Sequence, residues 1–129
     1  MIDGDIPAAS ISHTMGMKAT AVEKGKVVFE VLANDRHLNP LGGVHGGFAA
    51  TTFSVTGCTV HSMLEASAGY GTVDLNVKMV RPIPKNTTLI SEGKLLNISK
   101  SLGIWEGSIK DENGKIDAHT TATGMIIRP

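Results

Sequence analysis

The chain has 129 residues, with 12 lysines and arginines balanced by 12 aspartates and glutamates, so its formal net charge is zero. That balance excludes long-range attraction to nucleic acid or an anionic membrane, and the length suits one domain over 1–129 rather than two. The single cysteine, Cys58, excludes an internal disulfide and fits a reducing compartment. The acidic start Met1-Ile2-Asp3-Gly4-Asp5 lacks the order of a secretion signal, and no apolar run approaches the roughly 20 residues that span a bilayer. A cytoplasmic globular domain is expected. With aromatic content at 4%, part of its apolar surface is expected to be buried against a partner subunit.

In chain order, residues 7–18 read as a helical lead-in, because Pro7 suits a first turn and Ile11, Met15 and Lys18 share a helical spacing. Ala21 to Ala33 reads as strand, with a turn at Lys24-Gly25 and Val27, Phe29 and Val31 on one face. Asn34 to His37 is a polar loop. Gly46 to Ala66 carries β-branched residues and Gly57, yet its length without an internal turn favours one buried helix over a strand. Four strands follow. Val73, Leu75, Val77 and Met79 alternate with Asp74, Asn76, Lys78 and Val80, and Pro82 and Pro84 close that strand. Thr87–Asn97, Ile104–Asp111 and Ile116–Ile127 complete the set, with a type I′ hairpin expected at Asn113-Gly114. The class is α+β: an antiparallel sheet of five to six strands curled around one long central helix.

The stretch Asn39-Pro40-Leu41-Gly42-Gly43-Val44-His45-Gly46-Gly47 concentrates backbone freedom and polar chemistry where the helix begins. Paired glycines there present N–H groups that lack intrahelical partners, and the helix dipole adds partial positive charge. Such a site can polarise a thioester carbonyl and stabilise the oxyanion formed on attack. A tight turn with a loop-bonding histidine accounts for the same residues.

The pattern Asn39-x-x-Gly42-x-x-His45-Gly46-Gly47, with the later strand Thr72-Val73-Asp74-Leu75-Asn76, resembles the hotdog-fold acyl-CoA thioesterases. The resemblance is to their phenylacetate-pathway (PaaI-like) and Arthrobacter-type 4-hydroxybenzoyl-CoA branch, from about residue 10 to Ile127. It implies hydrolysis of an acyl- or aryl-CoA to free acid and coenzyme A, with no cofactor beyond the coenzyme A of the substrate. By the same resemblance, Gly46 polarises the carbonyl, with Gly47 beside it in substrate binding. Asn39 orients the water or the catalytic carboxylate, His45 positions the thiolate end, and Thr72 helps hold the water.

One element of that pattern is absent. The branch places a catalytic Asp or Glu nine residues after the histidine and a glycine four residues beyond the acid. Here the ninth residue is Ser54, and Gly57 lies only three beyond it. Either the acid became serine with a deletion nearby, or the acid itself is missing and Ser54 was its neighbour. A deletion turns the rest of a helix by about 100°. Glu65 lies about 30 Å along the helix from His45, too far to substitute. Asp74, two residues from Thr72, is expected on the same strand face. Ser54 needs an activating base to act as nucleophile; bonding its own backbone is the competing role.

Nine helical residues turn about 900°, which leaves His45 and residue 54 on opposite faces. They converge on one carbonyl only if two chains contribute, so a homodimer is expected; the resemblance adds pairing into homotetramers. Lys78, Arg81, Lys85, Lys100 and Arg128 are candidates for the phosphates of coenzyme A, Arg81 and Lys100 foremost. His37, His61 and His119 have no metal-ligand spacing, so no metal site is expected. Competing functions are a non-catalytic acyl-CoA sensor and a hydratase, the latter disfavoured by the His-Gly-Gly entrance.

Overall fold

The computed structural model describes residues 10–129. Residues 7–9 of the expected lead-in and the acidic start lie outside the described residues. The elements are α1 (Ser10–Thr14), β1 (Met17–Glu23), β2 (Lys26–Leu32), a 3-10 turn (Asp35–His37), α2 (Gly46–Val55), α3 (Cys58–His61), β3 (Gly69–Met79), β4 (Thr88–Ile98), β5 (Leu102–Lys110) and β6 (Ile116–Ile127). Six strands form one antiparallel sheet in the order β1-β2-β4-β5-β6-β3. The helical layer α2–α3 packs on its inner face, and α+β is the observed class.

The lead-in is shorter than its spacing suggests. Gly16, at φ +65°, ends the helix, and a Cβ there would stand 2.7 Å from the Leu32 carbonyl oxygen. Only glycine fits that left-handed, tightly packed position. The chain then reverses into β1, so the first sheet element is a hairpin, β1–β2, turning at Gly25 rather than one strand from Ala21. Lys18, assigned to the helix by spacing, lies in β1.

At Asn113-Gly114 only Gly114 has positive φ, so the turn is not type I′. Instead a wider loop closes with the Asp111 N–H donating to the Lys115 carbonyl, while the Asn113 and Lys115 N–H groups donate to Asp111 Oδ1. The β3–β6 register slips between Thr72 and Asp74, which pair with the consecutive residues Gly124 and Thr123. A bulge therefore absorbs Val73. It turns Thr72 toward the helix and Asp74 to the outer face, which overturns the expectation that the two share a face.

The core joins Trp105, Phe29, Phe53, Leu89, Ile109, Val27, Val31 and Val60, all fully buried between sheet and helices. Close approach of the helical layer is made possible by the cross-strand pair Gly93 and Gly107. A Cβ on Gly93 would stand 2.8 Å from the Thr56 carbonyl oxygen, and one on Gly107 would stand 3.0 Å from Phe53. The helical layer is not one helix to Ala66. It divides at Thr56-Gly57 and gives way to turns after His61. Around the division the bonds shorten to i→i+3: Gly57 N–H to Ser54 O, Thr59 to Thr56 and Val60 to Gly57, at 3.1, 3.1 and 2.9 Å.

Candidate active site

Two structures converge at the start of α2. Asn34 opens the 3-10 turn with a reciprocal cap: its Oδ1 accepts from the Arg36 N–H, and its own N–H donates to His37 Nδ1. His37 Nε2 therefore carries the ring proton and donates it to the Thr14 carbonyl at 2.9 Å. The ring also packs 4.9 Å from Phe48. His37 is thus a structural histidine that ties the entrance loop to α1.

Asn39 organises the glycine loop. Its Oδ1 accepts from the N–H groups of Leu41 and Gly43 at 3.0 and 3.1 Å, and its backbone closes the loop on Gly43 at 2.7 Å. With the oxygen occupied, the side-chain NH2 is the end left to meet a ligand. His45 is the N-cap of α2, and its Nδ1 accepts from the Gly47 N–H at 2.8 Å. That bond places the ring proton on Nε2, at an exposed position, where it serves as a donor. The backbone N–H of Gly46 has no partner among the described residues, and nothing stands within 4 Å of where its Cβ would be. Gly46 is therefore open to a carbonyl oxygen, and the exposed ring Nε2–H of His45 belongs to the residue just before it.

An open groove of about 310 Å³ adjoins this entrance, lined by Met15, Arg36, His37, Leu38, His45, Gly47, Phe48 and Thr51. None of these residues is a carboxylic acid. A hollow of about 350 Å³ on the outer sheet face, between Glu92, Lys94, Glu106, Lys110 and His119, carries both charge signs and lies away from the helix.

The expected site residues fall into two groups. Asn39, His45, Gly46 and Gly47 stand together at the head of α2. Ser54 lies eight residues below Gly46, about 12 Å along the axis, half-buried, with its carbonyl accepting from Gly57 N–H and, at 3.4 Å, from Tyr70 O–H. Thr72 belongs with this second group, two residues beyond Tyr70 on the inner face of edge strand β3.

The basic candidates are placed less favourably. The Arg81 guanidinium is held by Asp111 at 3.1 Å and by buried Asp117 at 2.7 Å, so its charge is already balanced. Lys100 occupies the β4–β5 turn beyond α3, where its carbonyl accepts from Arg128 and Arg128 pairs with Glu65. Both lie apart from the groove at Gly46. Burial pushes the Cys58 thiol up to about 12, which disfavours the thiolate that a nucleophile needs. Burial also raises the Tyr70 phenol, with the Cys58 charge adding to the shift.

Sequence reasoning missed Arg36 in the groove and Tyr70 and Trp105 beside Gly57. A Cβ on Gly57 would meet both aromatic rings at 2.7–2.9 Å. The signal for Arg36 was the Asn34-x-x-His37 cap, which fixes the turn that carries it. Among the described residues no cluster of His, Cys, Asp and Glu could hold a metal, and no helix is long and apolar enough to cross a membrane.

Known proteins share this fold. The chain is 30% identical to a Ralstonia eutropha JMP134 protein described as a phenylacetic acid degradation-related thioesterase. Their structures agree with a TM-score of 0.87, over 97% of this chain and 96% of that one. It is 26% identical over 121 residues to a Saccharolobus solfataricus protein described as an esterase, covering 94% of this chain and 86% of the relative. Over 103 residues it is 25% identical to acyl-coenzyme A thioesterase 13 of Homo sapiens, covering 80% and 67% of the two. No protein-family model matches the chain. On the fold, the entrance at Gly46 and this similarity, the chain belongs to the hotdog-fold thioesterases, in the branch related to phenylacetic acid degradation.

Proposed function

We propose that the chain is an acyl-CoA thioesterase, built to hydrolyse an acyl- or aryl-CoA to free acid and coenzyme A, whose catalysis is impaired at Ser54. The observation that carries the reading is the unpartnered Gly46 N–H opening beside the 310 Å³ groove. In this reading the thioester carbonyl accepts from Gly46, where the first-turn N–H groups and the helix dipole favour developing negative charge. His45 donates Nε2–H toward the leaving thiolate, and the Asn39 amide orients water.

The second group of residues comes from a partner chain. Within one chain Ser54 lies about 12 Å along the axis below Gly46, too far to share a carbonyl. Two helices running side by side bring each Ser54 and Thr72 toward the other's entrance. A homodimer is therefore the catalytic unit, and pairing of dimers into a tetramer is compatible with it. The proposed setting is cytoplasmic, as one domain, without a cofactor.

The tightened helix supports a missing residue rather than a simple replacement. A 3-10 winding turns about 120° per residue against about 100° in an α-helix, so the tightened turn between α2 and α3 regains part of the rotation that one deleted residue removes. Gly57 stays packed against Tyr70 and Trp105. In this reading Ser54 is the neighbour of the absent acid. Loss of a general base costs roughly 10²–10⁴-fold in rate.

A second reading, an acyl-CoA sensor without turnover, is favoured by the absence of any carboxylate among the groove's lining residues. The deciding experiment measures thiol release from a panel of acyl- and aryl-CoAs. The panel is run with the native chain, Ser54→Asp, and a variant with Asp inserted between Phe53 and Ser54. The proposal expects slow native turnover and a rise of about 10²–10⁴-fold on insertion. Tight binding with no gain from either variant establishes the sensor, and ordinary native rates refute the impairment.

A further inference from the structure

The chain has three arginines, and their partners differ. Arg81 is clamped by Asp111 and Asp117, and Arg128 is paired with Glu65 at 2.7 Å. Arg36 has no carboxylate within ion-pair distance among the described residues, and it is the one arginine among the residues that line the groove with His45 and Gly47. Its neighbour Asp35 does not cancel it, because Lys85 holds that carboxylate at 3.1 Å.

The backbone beneath Arg36 is unusually well fixed for a loop. Asn34 caps the turn from both sides, His37 is anchored to Thr14, and the His45 N–H donates to the His37 carbonyl at 2.8 Å. The base of the Arg36 side chain is therefore held in register with the head of α2. A guanidinium so placed offers a planar fork of donors to an anionic oxygen. The remaining lining is apolar or neutral: Met15, Leu38, Phe48 and Thr51.

From this placement we infer that Arg36 is the anion anchor of the substrate, binding an anionic oxygen of a thioester seated at Gly46. The inference rests on the thioesterase reading above. A coenzyme A thioester offers such oxygens in two places: the phosphates of its nucleotide end, or a carboxylate borne by the acyl group. In the phosphate case Arg36 takes the role for which the sequence offered Arg81 and Lys100 as basic candidates.

The test is calorimetric titration of the native chain, Arg36→Ala, Arg36→Glu and Arg36→Lys with three ligands. Coenzyme A carries the phosphates, S-carboxypropyl-pantetheine carries only a carboxylate, and pantetheine carries neither. Arg36 is exposed, so the variants should keep the native melting temperature, which is measured alongside. The expected result is a loss of about 10- to 100-fold for the anionic ligand in Arg36→Ala, more in Arg36→Glu, and partial retention in Arg36→Lys. Pantetheine affinity stays unchanged. Loss confined to coenzyme A identifies the phosphates, and loss confined to the carboxypropyl ligand identifies an acid-bearing acyl group. Unchanged affinity for both anionic ligands overturns the assignment while leaving the coenzyme A reading intact. A native chain that binds none of the three sinks that reading and this assignment with it.

Discussion

The helix lies close enough to the sheet at Gly93 that one methyl group should be felt throughout the fold. In Gly93→Ala the new Cβ would meet the Thr56 carbonyl oxygen at 2.8 Å, the Thr56 Cβ at 2.9 Å and the Thr59 Cγ2 at 2.9 Å. The first two are fixed to the helical backbone, so no rotamer change relieves them and the α2–α3 junction must lift. Overpacking of this kind costs about 1–3 kcal/mol, offset by about 0.4–1 kcal/mol from the stiffer unfolded chain. The net expectation is a loss of about 1–2 kcal/mol, or roughly 4–8 °C in melting temperature at this chain length. Gly69→Ala is the control, since nothing stands within 4 Å of its Cβ, and it should stay within about 0.5 kcal/mol of native. Urea and thermal melts followed by circular dichroism, at one protein concentration, compare the three. If Gly93→Ala melts with the control, the close approach of helix to sheet is wrong.

Further outcomes follow from single groups. The Thr59 hydroxyl is buried without a hydrogen-bond partner, while its methyl packs at Gly93. Thr59→Val keeps the shape and should stabilise by about 1 kcal/mol in urea melts; a destabilised variant would mean that the hydroxyl is bonded after all. Cys58, its thiol raised to about 12 by burial, should resist iodoacetamide near pH 8 until urea opens the chain. Labelling of the folded chain at the rate of a free thiol refutes that burial. Asp111 is held below the ordinary carboxylate range, chiefly by the Lys115 N–H, with Arg81 and the Asn113 N–H adding. A lowered value stabilises the fold above the unfolded pKa, and that contribution is lost as pH falls through the folded one. The gap in melting temperature between native and Asp111→Asn should thus hold above about pH 5 and narrow in acid. A gap independent of pH removes the argument.

The sequence by itself determined the elements whose signal is local. The four later strands follow period-two alternation, β6 with the same bounds in structure as in sequence, because each must bury one face. The head of α2 was equally legible, since glycines, a capping histidine and a loop-closing asparagine act within a few residues of one another. What failed locally was β1: Lys18 shares the helical spacing of Ile11 and Met15, and only the contact of Gly16 with Leu32, across the hairpin, ends the helix before it.

Tertiary structure alone decided the rest. The Val73 bulge sends Asp74 outward because the register of β3 is set by β6, where Thr123 lies 49 residues beyond Asp74 and Gly124 lies 52 beyond Thr72. That single slip removes Asp74 from the helix face and leaves Thr72 there. Charge is similar: Arg36, Arg81 and Arg128 are alike in sequence, and only the folded positions of Asp111, Asp117 and Glu65 separate the paired arginines from the one at the groove. Spacing from His45 put Ser54 at the position where the resemblance expects an acid. Packing of Gly57 against Tyr70 and Trp105 decided where the helical layer tightens, around Thr56-Gly57.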